Sequence, residues 1–515
     1  MFILPASPGV PGGLSAPRTL LLRGACLADG RVADILVAGG AIVSVGDSPV
    51  PPLASTEVLD LRGYLLLPSL VEPHAHLGKA FTAPGIASPD GSLPEAFDAP
   101  GAARPGLPAA GIAARAWAAA TRYLAHGTTA IRVHVDIGGE AGLQAVEALL
   151  EVGAGLAGIM DIQIVAITPV PVTGRAGAAN RVLLRRALAA GADLAGGMPA
   201  LDDEPGRAIE SLAVVAADVG AGLDLHIDET AGAAVLTLPH LVAVAEAGFG
   251  HPVTASYAAR LGTQVPERQY VTAQSLAHAG IGVVTLPQAC VFSQAGGPGA
   301  DVPGGLAAVR DLLEAGVPVA AGGGSLQEPF NPMGRADPLG AAALLLAAAK
   351  LTPAEAFAAV TSAGRLIMGL PDVSVAPGSP ADLVAVRAAD LGNAVASGTP
   401  DRIVLRGGRI VARTLAAAEL ALPELRATRS AWNLPGAYCA GNRRGPRRRH
   451  CRGICPGTGT GTGAGAGAGA VPAPGGEHVN PAGETLAPAG ETLAPAGETL
   501  APAGETLAPA GELPG

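Results

Sequence analysis

Lysine is nearly missing from this chain of 515 residues, where Lys79 and Lys350 stand against 31 arginines. That bias follows coding composition rather than any activity. Aromatic residues make up only 3% of the chain, so a core must be built from Ala, Val, Leu and Ile, which a hydrophobic content of 49% allows. The five cysteines, Cys26, Cys290, Cys439, Cys451 and Cys455, are too few and too scattered for a disulfide framework. Positive charge is in deficit, with a formal net charge of −10, and such a chain cannot neutralise a phosphate backbone. Long apolar runs are absent too, since the stretch near Ala341–Ala349 is about half a membrane span. The segment Met1–Arg18 is broken by Pro5, Pro8, Pro11 and Pro17 with no basic residue ahead of it, which is not the pattern of a secretory signal. The expectation is a cytoplasmic protein whose partner is a small-molecule substrate or ligand, with neither nucleic acid nor membrane; assembly into a homo-oligomer is left open.

What the chain has in excess is Gly (73) and Pro (46), together 23% of it, nearly twice the usual share of about 12%. Part of the excess sits at the end. From Gly441 an arginine cluster and a Gly-Thr/Gly-Ala alternation lead into the unit Pro-Ala-Gly-Glu-Thr-Leu-Ala, which starts at Pro481, Pro488, Pro495 and Pro502, with a truncated copy at Pro509. Proline and glycine in every unit forbid a continuous helix, and one Leu per unit buries too little to offset ordering. Residues 441–515 are therefore expected to be a disordered tail, preceded by an extension over 416–440. The basic stretch around His450, Cys451 and Cys455 reads as a solvated run, because C-x-x-x-C beside one His lacks the partners of a zinc site.

The body opens with short β-like runs, Leu20–Leu22, Ile35–Val37 and Ile42–Val45, punctuated by Asp29-Gly30 and Gly39-Gly40. A matching set, Ala381–Val386, Ile403–Leu405 and Ile410-Val411 with Gly407-Gly408, lies far downstream. Two such pieces predict one small β-sandwich domain assembled from residues 19–64 and 375–415. Between them eight strand-like runs alternate with Ala-rich helical stretches: Leu65–Val71, Thr129–His134, Asp161–Ile167, Leu194–Met198, Leu223–Ile227, Val253–Ser256, Gly282–Leu286 and Val317–Ala321. That is the α/β pattern of a (β/α)8 TIM barrel over residues 65–374. In that fold the chemistry lies at the carboxyl ends of the strands.

The first strand leads into Val71-Glu72-Pro73-His74-Ala75-His76-Leu77. Residues two apart in a strand share a face, so His74 and His76 are expected to point together into the barrel mouth as half of a transition-metal site. The fifth strand ends in Leu225-His226-Ile227-Asp228-Glu229, adding a third histidine and, three residues on, a Glu placed to handle protons on water. His134 and Asp136 close the second strand and are expected to line the cavity or pack beneath it. Lys79 follows the first motif but in a loop position unsuited to bridging metals, and Cys290 has nothing beside it to lower its pKa. Gly322-Gly323-Gly324 lacks the G-x-x-x-x-G-K-[ST] pattern of a phosphate loop.

Glu72-Pro73-His74-Ala75-His76-Leu77, His226-Ile227-Asp228-Glu229, Val253-Thr254-Ala255-Ser256 and Pro329-Phe330-Asn331-Pro332 together resemble the cytosine-deaminase group of the amidohydrolase superfamily, over about residues 19–415. The resemblance implies a divalent metal, zinc or iron, held by His74, His76, His226 and an eighth-strand Asp. It also implies a proton shuttle at Glu229 and a sixth-strand His that orients water. The implied reaction is hydrolysis of a C–N bond in a cyclic amidine or amide such as a pyrimidine.

Four positions depart from that pattern. The metal Asp falls on Gly324, the sixth-strand His on Tyr257, an Asp after the first motif on Gly78, and a substrate-binding Gln near Pro169. Three histidines with an open position still suffice to bind zinc, but a phenol with a pKa near 10 is a poor base at neutral pH. Glu328 and Asp337 lie beyond the eighth strand, though neither occupies its end. Two readings follow: a metal-dependent hydrolase, or a catalytically silent relative that keeps a ligand pocket.

Overall fold

The computed structural model describes residues 19–46, 56–83, 111–139, 142–229, 236–294, 306, 308–328, 331–417 and 419. The repeat tail, most of the 416–440 extension, the segment Met1–Arg18 and the Pro329-Phe330 half of one motif lie outside them. None of the described helices is long and apolar enough to cross a membrane.

The flanking β-rich pieces pair with each other. Strands β1 (Thr19–Cys26), β2 (Val32–Ala38), β3 (Ala41–Gly46), β4 (Glu57–Asp60) and β5 (Leu65–Pro68) come from the first flank, and β14 (Leu383–Val386), β15 (Arg402–Arg406) and β16 (Arg409–Thr414) from the second. They form one mixed sheet in the order β16-β15-β14-β5-β1-β2-β3, with β4 branching off β1. Its inner face closes on a core of its own, including Leu22, Ile35, Leu66, Leu383, Ile403 and Leu405. Both Gly-Gly dipeptides make the tight hairpins expected of them. Gly39 and Gly40 have φ of 60° and 85°, and Gly407 and Gly408 have 53° and 73°, the left-handed values that a two-residue turn needs at both positions.

The middle of the chain supplies β6 (Leu70–Ala75), β7 (Thr128–Asp136), β8 (Asp161–Ile167), β9 (Leu194–Gly196), β10 (Gly222–Ile227), β11 (Val253–Tyr257), β12 (Gly282–Thr285) and β13 (Val319–Ala321). These are hydrogen-bonded in sequential order, all parallel, from β6 round to β13. The ring is closed by Gly324, which bridges to Ala75: its N–H donates to the His74 carbonyl at 3.0 Å and its carbonyl accepts from the His76 N–H at 3.0 Å. Helices lie between the strands, among them Ile112–Ala125, Gln144–Gly155, Ala178–Ala189 and Pro205–Val219. Their buried positions are mostly Ala, Leu and Val, so scarce aromatics cost the core little.

One expectation is corrected. The run Leu65–Val71 is not a single barrel strand but two elements parted at Ser69. Residues 65–68 pair antiparallel with β14 in the flanking sheet, and the first barrel strand begins at Leu70. Both halves are buried except for the partly exposed Pro68, so no alternation of polar and apolar residues marked the break.

The two sheets are tied by Arg402, which is wholly buried. Its guanidinium makes a bidentate pair with Asp337 at 2.9 and 2.7 Å and donates to the His126 carbonyl at 2.6 Å. Asp337 also caps the helix Pro338–Ala348 by accepting from the Leu339 N–H. Replacing one partner leaves a buried charge unpaired, at a typical loss of about 3–5 kcal/mol. Arg402→Ala is expected to lower unfolding stability by that amount in a urea titration, and Asp337→Asn combined with Arg402→Met to recover much of it.

Candidate metal centre

Strand pleating carries the site upward from the barrel interior in layers. Arg132 and His134 on β7, Asp224 and His226 on β10, and Thr254 and Ser256 on β11 are each two residues apart and so share the inward face. The lower layer is an ion pair, Arg132 Nη1 to Asp224 Oδ2 at 2.8 Å, with Arg132 also donating to Thr254 Oγ1 and the Ile367 carbonyl. Above it Ser256 Oγ donates to Asp224 Oδ1 at 2.6 Å and stands 2.9 Å from His74 Nδ1.

Those bonds decide where the protons lie. Ser256 gives its hydroxyl proton to the carboxylate, so it accepts from His74 Nδ1–H, and His74 Nε2 carries a lone pair. His76 Nδ1 faces the His134 carbonyl at 3.2 Å, which can only accept, so His76 Nε2 also carries a lone pair. The two Nε2 atoms stand 3.3 Å apart. Two lone pairs at that distance repel unless a cation lies between them. Two zinc–nitrogen bonds at a tetrahedral angle would separate their nitrogens by about 3.3 Å. Burial, together with His134, His226 and His76 close by, depresses the His74 pKa, so a shared proton is a poor substitute for the cation.

His226 completes the trio. Its ligand atom lies within 4.8 Å of those of His74 and His76, and both its ring nitrogens are buried without a hydrogen bond. Two imidazoles oriented by polar neighbours, with a third beside them whose ring nitrogens make no hydrogen bond, are a donor set for zinc or ferrous iron. His134 stacks on His74 with ring centroids 3.5 Å apart, and burial pushes its pKa down to about 4 against the pull of Asp224. Burial works to raise Asp224, but His134, Arg132 and the Ser256 hydroxyl outweigh it and hold the carboxyl below its usual range.

The cavity beside the trio is walled by His76, His226, Glu229 and Tyr257, with Lys79, Ser325 and Glu328 on the side of the first and eighth strands. Glu229 stands 3.6 Å from His226 Nδ1. Tyr257 is held at φ 75° at the end of β11, its ring 4.9 Å from that of His226. Asp136 does not line this cavity; it pairs with Lys79, which does. Asp228 turns away to accept from the Thr237 and Leu238 amides. Cys290 is buried, with its thiol pushed up to about 12 by desolvation and then by Glu229, and so is inert.

The glycines after β13 have a structural account. Both Glu72 oxygens accept from the Gly323 N–H at 3.0 Å, and burial raises the Glu72 carboxyl to about 8, leaving it neutral at pH 7. A Cβ on Gly322 would meet Glu72 Oε1 at 2.7 Å, and one on Gly323 would meet Oε2 at 3.2 Å. The triple glycine therefore accommodates a buried acid and not a phosphate. Gly324 has φ +69°, and a Cβ there would face Leu286 and Ala289.

Sequence reasoning assigned no role to Asp224, Ser256 or Arg132. The same two-residue spacing that links His74 to His76 links Asp224 to His226, so that signal was present in the pattern.

An eight-stranded parallel barrel that gathers buried imidazoles and a carboxylate at the carboxyl ends of its strands defines a class, the (β/α)8 barrels with a histidine cluster able to hold a metal. The chain belongs to the Amidohydrolase family, whose model matches residues 65–411, as the motif resemblance implied. Over 391 residues it is 31% identical to pterin deaminase of Rhizobium rhizogenes, covering 74% of this chain and 88% of that one. N-isopropylammelide isopropylaminohydrolase from Burkholderia multivorans is 29% identical with a TM-score of 0.64, across 78% of this chain and 100% of that structure. The 5-methylcytosine deaminase from Klebsiella pneumoniae liganded with phosphonocytosine has the same fold, with a TM-score of 0.68 at 24% identity over 78% of this chain and 100% of its own.

If Ser256 sets the His74 tautomer, Ser256→Ala is expected to weaken zinc binding by about 10–100-fold, read by competition with a chromophoric chelator. Unchanged affinity would mean that His74 is oriented by packing alone.

Proposed function

We propose that this protein is a metal-dependent hydrolase that deaminates a small cyclic amidine of the pyrimidine or pterin kind. The observation that carries the reading is the approach of His74 Nε2 and His76 Nε2 to 3.3 Å, beside the ring nitrogens of His226, which are buried without a hydrogen bond. His74, His76 and His226 would hold a zinc or ferrous ion. Such an ion supplies a Lewis acid that lets water attack at neutral pH. The relatives named for deamination and for removal of an alkylamine support C–N hydrolysis as the reaction.

The remaining work falls to residues of the cavity wall. Glu229, partly exposed and next to His226, moves a proton to the ring nitrogen of the amidine. Tyr257 lines the same cavity, and its phenol would offer a hydrogen bond to the substrate. Lys79, anchored by Asp136, offers a donor to a ring carbonyl or other anionic edge. The rival reading, a silent relative that only binds, is favoured by one observation: Gly324 offers the strand-eight position no carboxylate and spends its backbone on closing the barrel.

Purified protein is expected to hold a near-stoichiometric divalent ion and, when loaded, to release ammonia from one or more of cytosine, 5-methylcytosine and pterin. Glu229→Gln should keep the metal and lose about 10²–10⁴-fold in kcat. Metal below about 0.1 equivalents, even after zinc or ferrous iron is supplied, would sink the proposal.

A further inference from the structure

Deamination of an amidine requires three proton movements. Water must lose a proton as it attacks, the ring nitrogen must gain one, and the departing amine must gain one. Glu229 serves the ring nitrogen, and one carboxylate cannot be acid and base in the same step. Tyr257 is a phenol, a poor base at neutral pH. A second carboxylate at the cavity wall would let the water proton and the ring-nitrogen proton be handled by separate groups.

The eighth strand cannot supply it from its end. A Cβ on Gly322 would clash with Glu72 at 2.7 Å, one on Gly323 would crowd it at 3.2 Å, and one on Gly324 would be strained at φ +69° and would face Leu286 and Ala289. Of the two acids that follow, Asp337 is committed to Arg402 and to the helix it caps. Glu328 is 2% exposed and lines the cavity together with His76, His226 and Glu229. Its backbone is clamped. The Asn331 N–H donates to its carbonyl at 2.9 Å, and the preceding Leu326 and Gln327 carbonyls accept from Phe81 and Ala83, each at 2.9 Å. The loop carrying Glu328 is thereby stitched to the segment that leaves the histidine motif of the first strand, so its register against His76 is set by main-chain bonds.

We propose that Glu328 is the second catalytic carboxylate, the base that takes the proton of the attacking water. The inference rests on the metal-dependent reading above. As the C–O bond forms, one water O–H bond breaks and its proton goes to Glu328. The C=N pair moves to the ring nitrogen, which takes a proton from Glu229 in its protonated form. The new hydroxyl then returns a proton to Glu229 as the carbonyl forms, the C–N bond breaks, and the leaving amine carries off the proton from Glu328 as ammonia. Both carboxyls end as they began.

The test compares wild type, Glu328→Gln and Glu328→Asp in the full chain. Glu328→Gln is expected to keep its zinc content and KM within about threefold while kcat falls by about 10²–10⁴-fold, and Glu328→Asp to fall less. A second readout needs no turnover. Zinc is added to metal-free protein at pH 7 in buffers of different ionisation enthalpy, and the protons released are counted by calorimetry. Wild type should release about half a proton fewer than Glu328→Gln, because a water of pKa near 7 is about half ionised at pH 7 and Glu328 retains the proton that water gives up. Equal proton counts, or a Glu328→Gln kcat within about threefold of wild type, overturn the assignment while leaving the hydrolase reading intact. A wild-type chain that takes up no zinc overturns both.

Discussion

A single buried carboxylate organises the centre of this barrel. Asp224 sits below the imidazoles with no exposure to solvent, and such a charge is tolerable only when it is paired and hydrogen-bonded. Arg132 neutralises it from β7, and Ser256 donates to it from β11. Because Ser256 has spent its proton downward, it can only accept from His74, and that acceptance turns the His74 lone pair toward His76. The charge balance of the lower layer thus sets the chemistry of the upper one. An Asn at 224 would fill the same space, but its amide could not enforce the same direction of hydrogen bonding.

The glycines tell a related story of space. Gly322 and Gly323 lie where a neutral, buried Glu72 presses against the strand end, and Gly324 bridges the last strand to the first through the backbone of the histidine motif. The position that the family pattern gives to a metal-binding Asp here secures the backbone of His74 and His76. Composition that looked like surplus flexibility is, at these three residues, a demand of close approach. The carboxylate facing the cavity from this side comes from Glu328, four residues further on.

Much of the fold was legible along the chain because barrels repeat one local pattern. Apolar strand runs separated by Ala-rich helical stretches marked all eight positions, and Gly39-Gly40 and Gly407-Gly408 marked their hairpins through the φ that only glycine adopts readily. The break at Ser69 was hidden, since residues on both sides are buried and a continuous apolar run has no internal punctuation. At the site, His74, His76 and His226 stood out by residue type and by their place at strand ends. Glu328 did not, because it belongs to no strand and reaches the cavity through a loop pinned to residues about 245 positions earlier, near Phe81 and Ala83.

Residue order alone determined the strand and helix succession, the pairing of two distant β-rich flanks and the three histidines, since each depends on local periodicity and residue chemistry. Tertiary structure decided which nitrogens face each other, which acids reach the cavity and which are bound elsewhere. Asp136 went to Lys79, Asp337 to Arg402 and Asp228 to a helix start, and Glu229 and Glu328 line the cavity. Those outcomes depend on distances between residues far apart in sequence, and only closure of the barrel sets such distances.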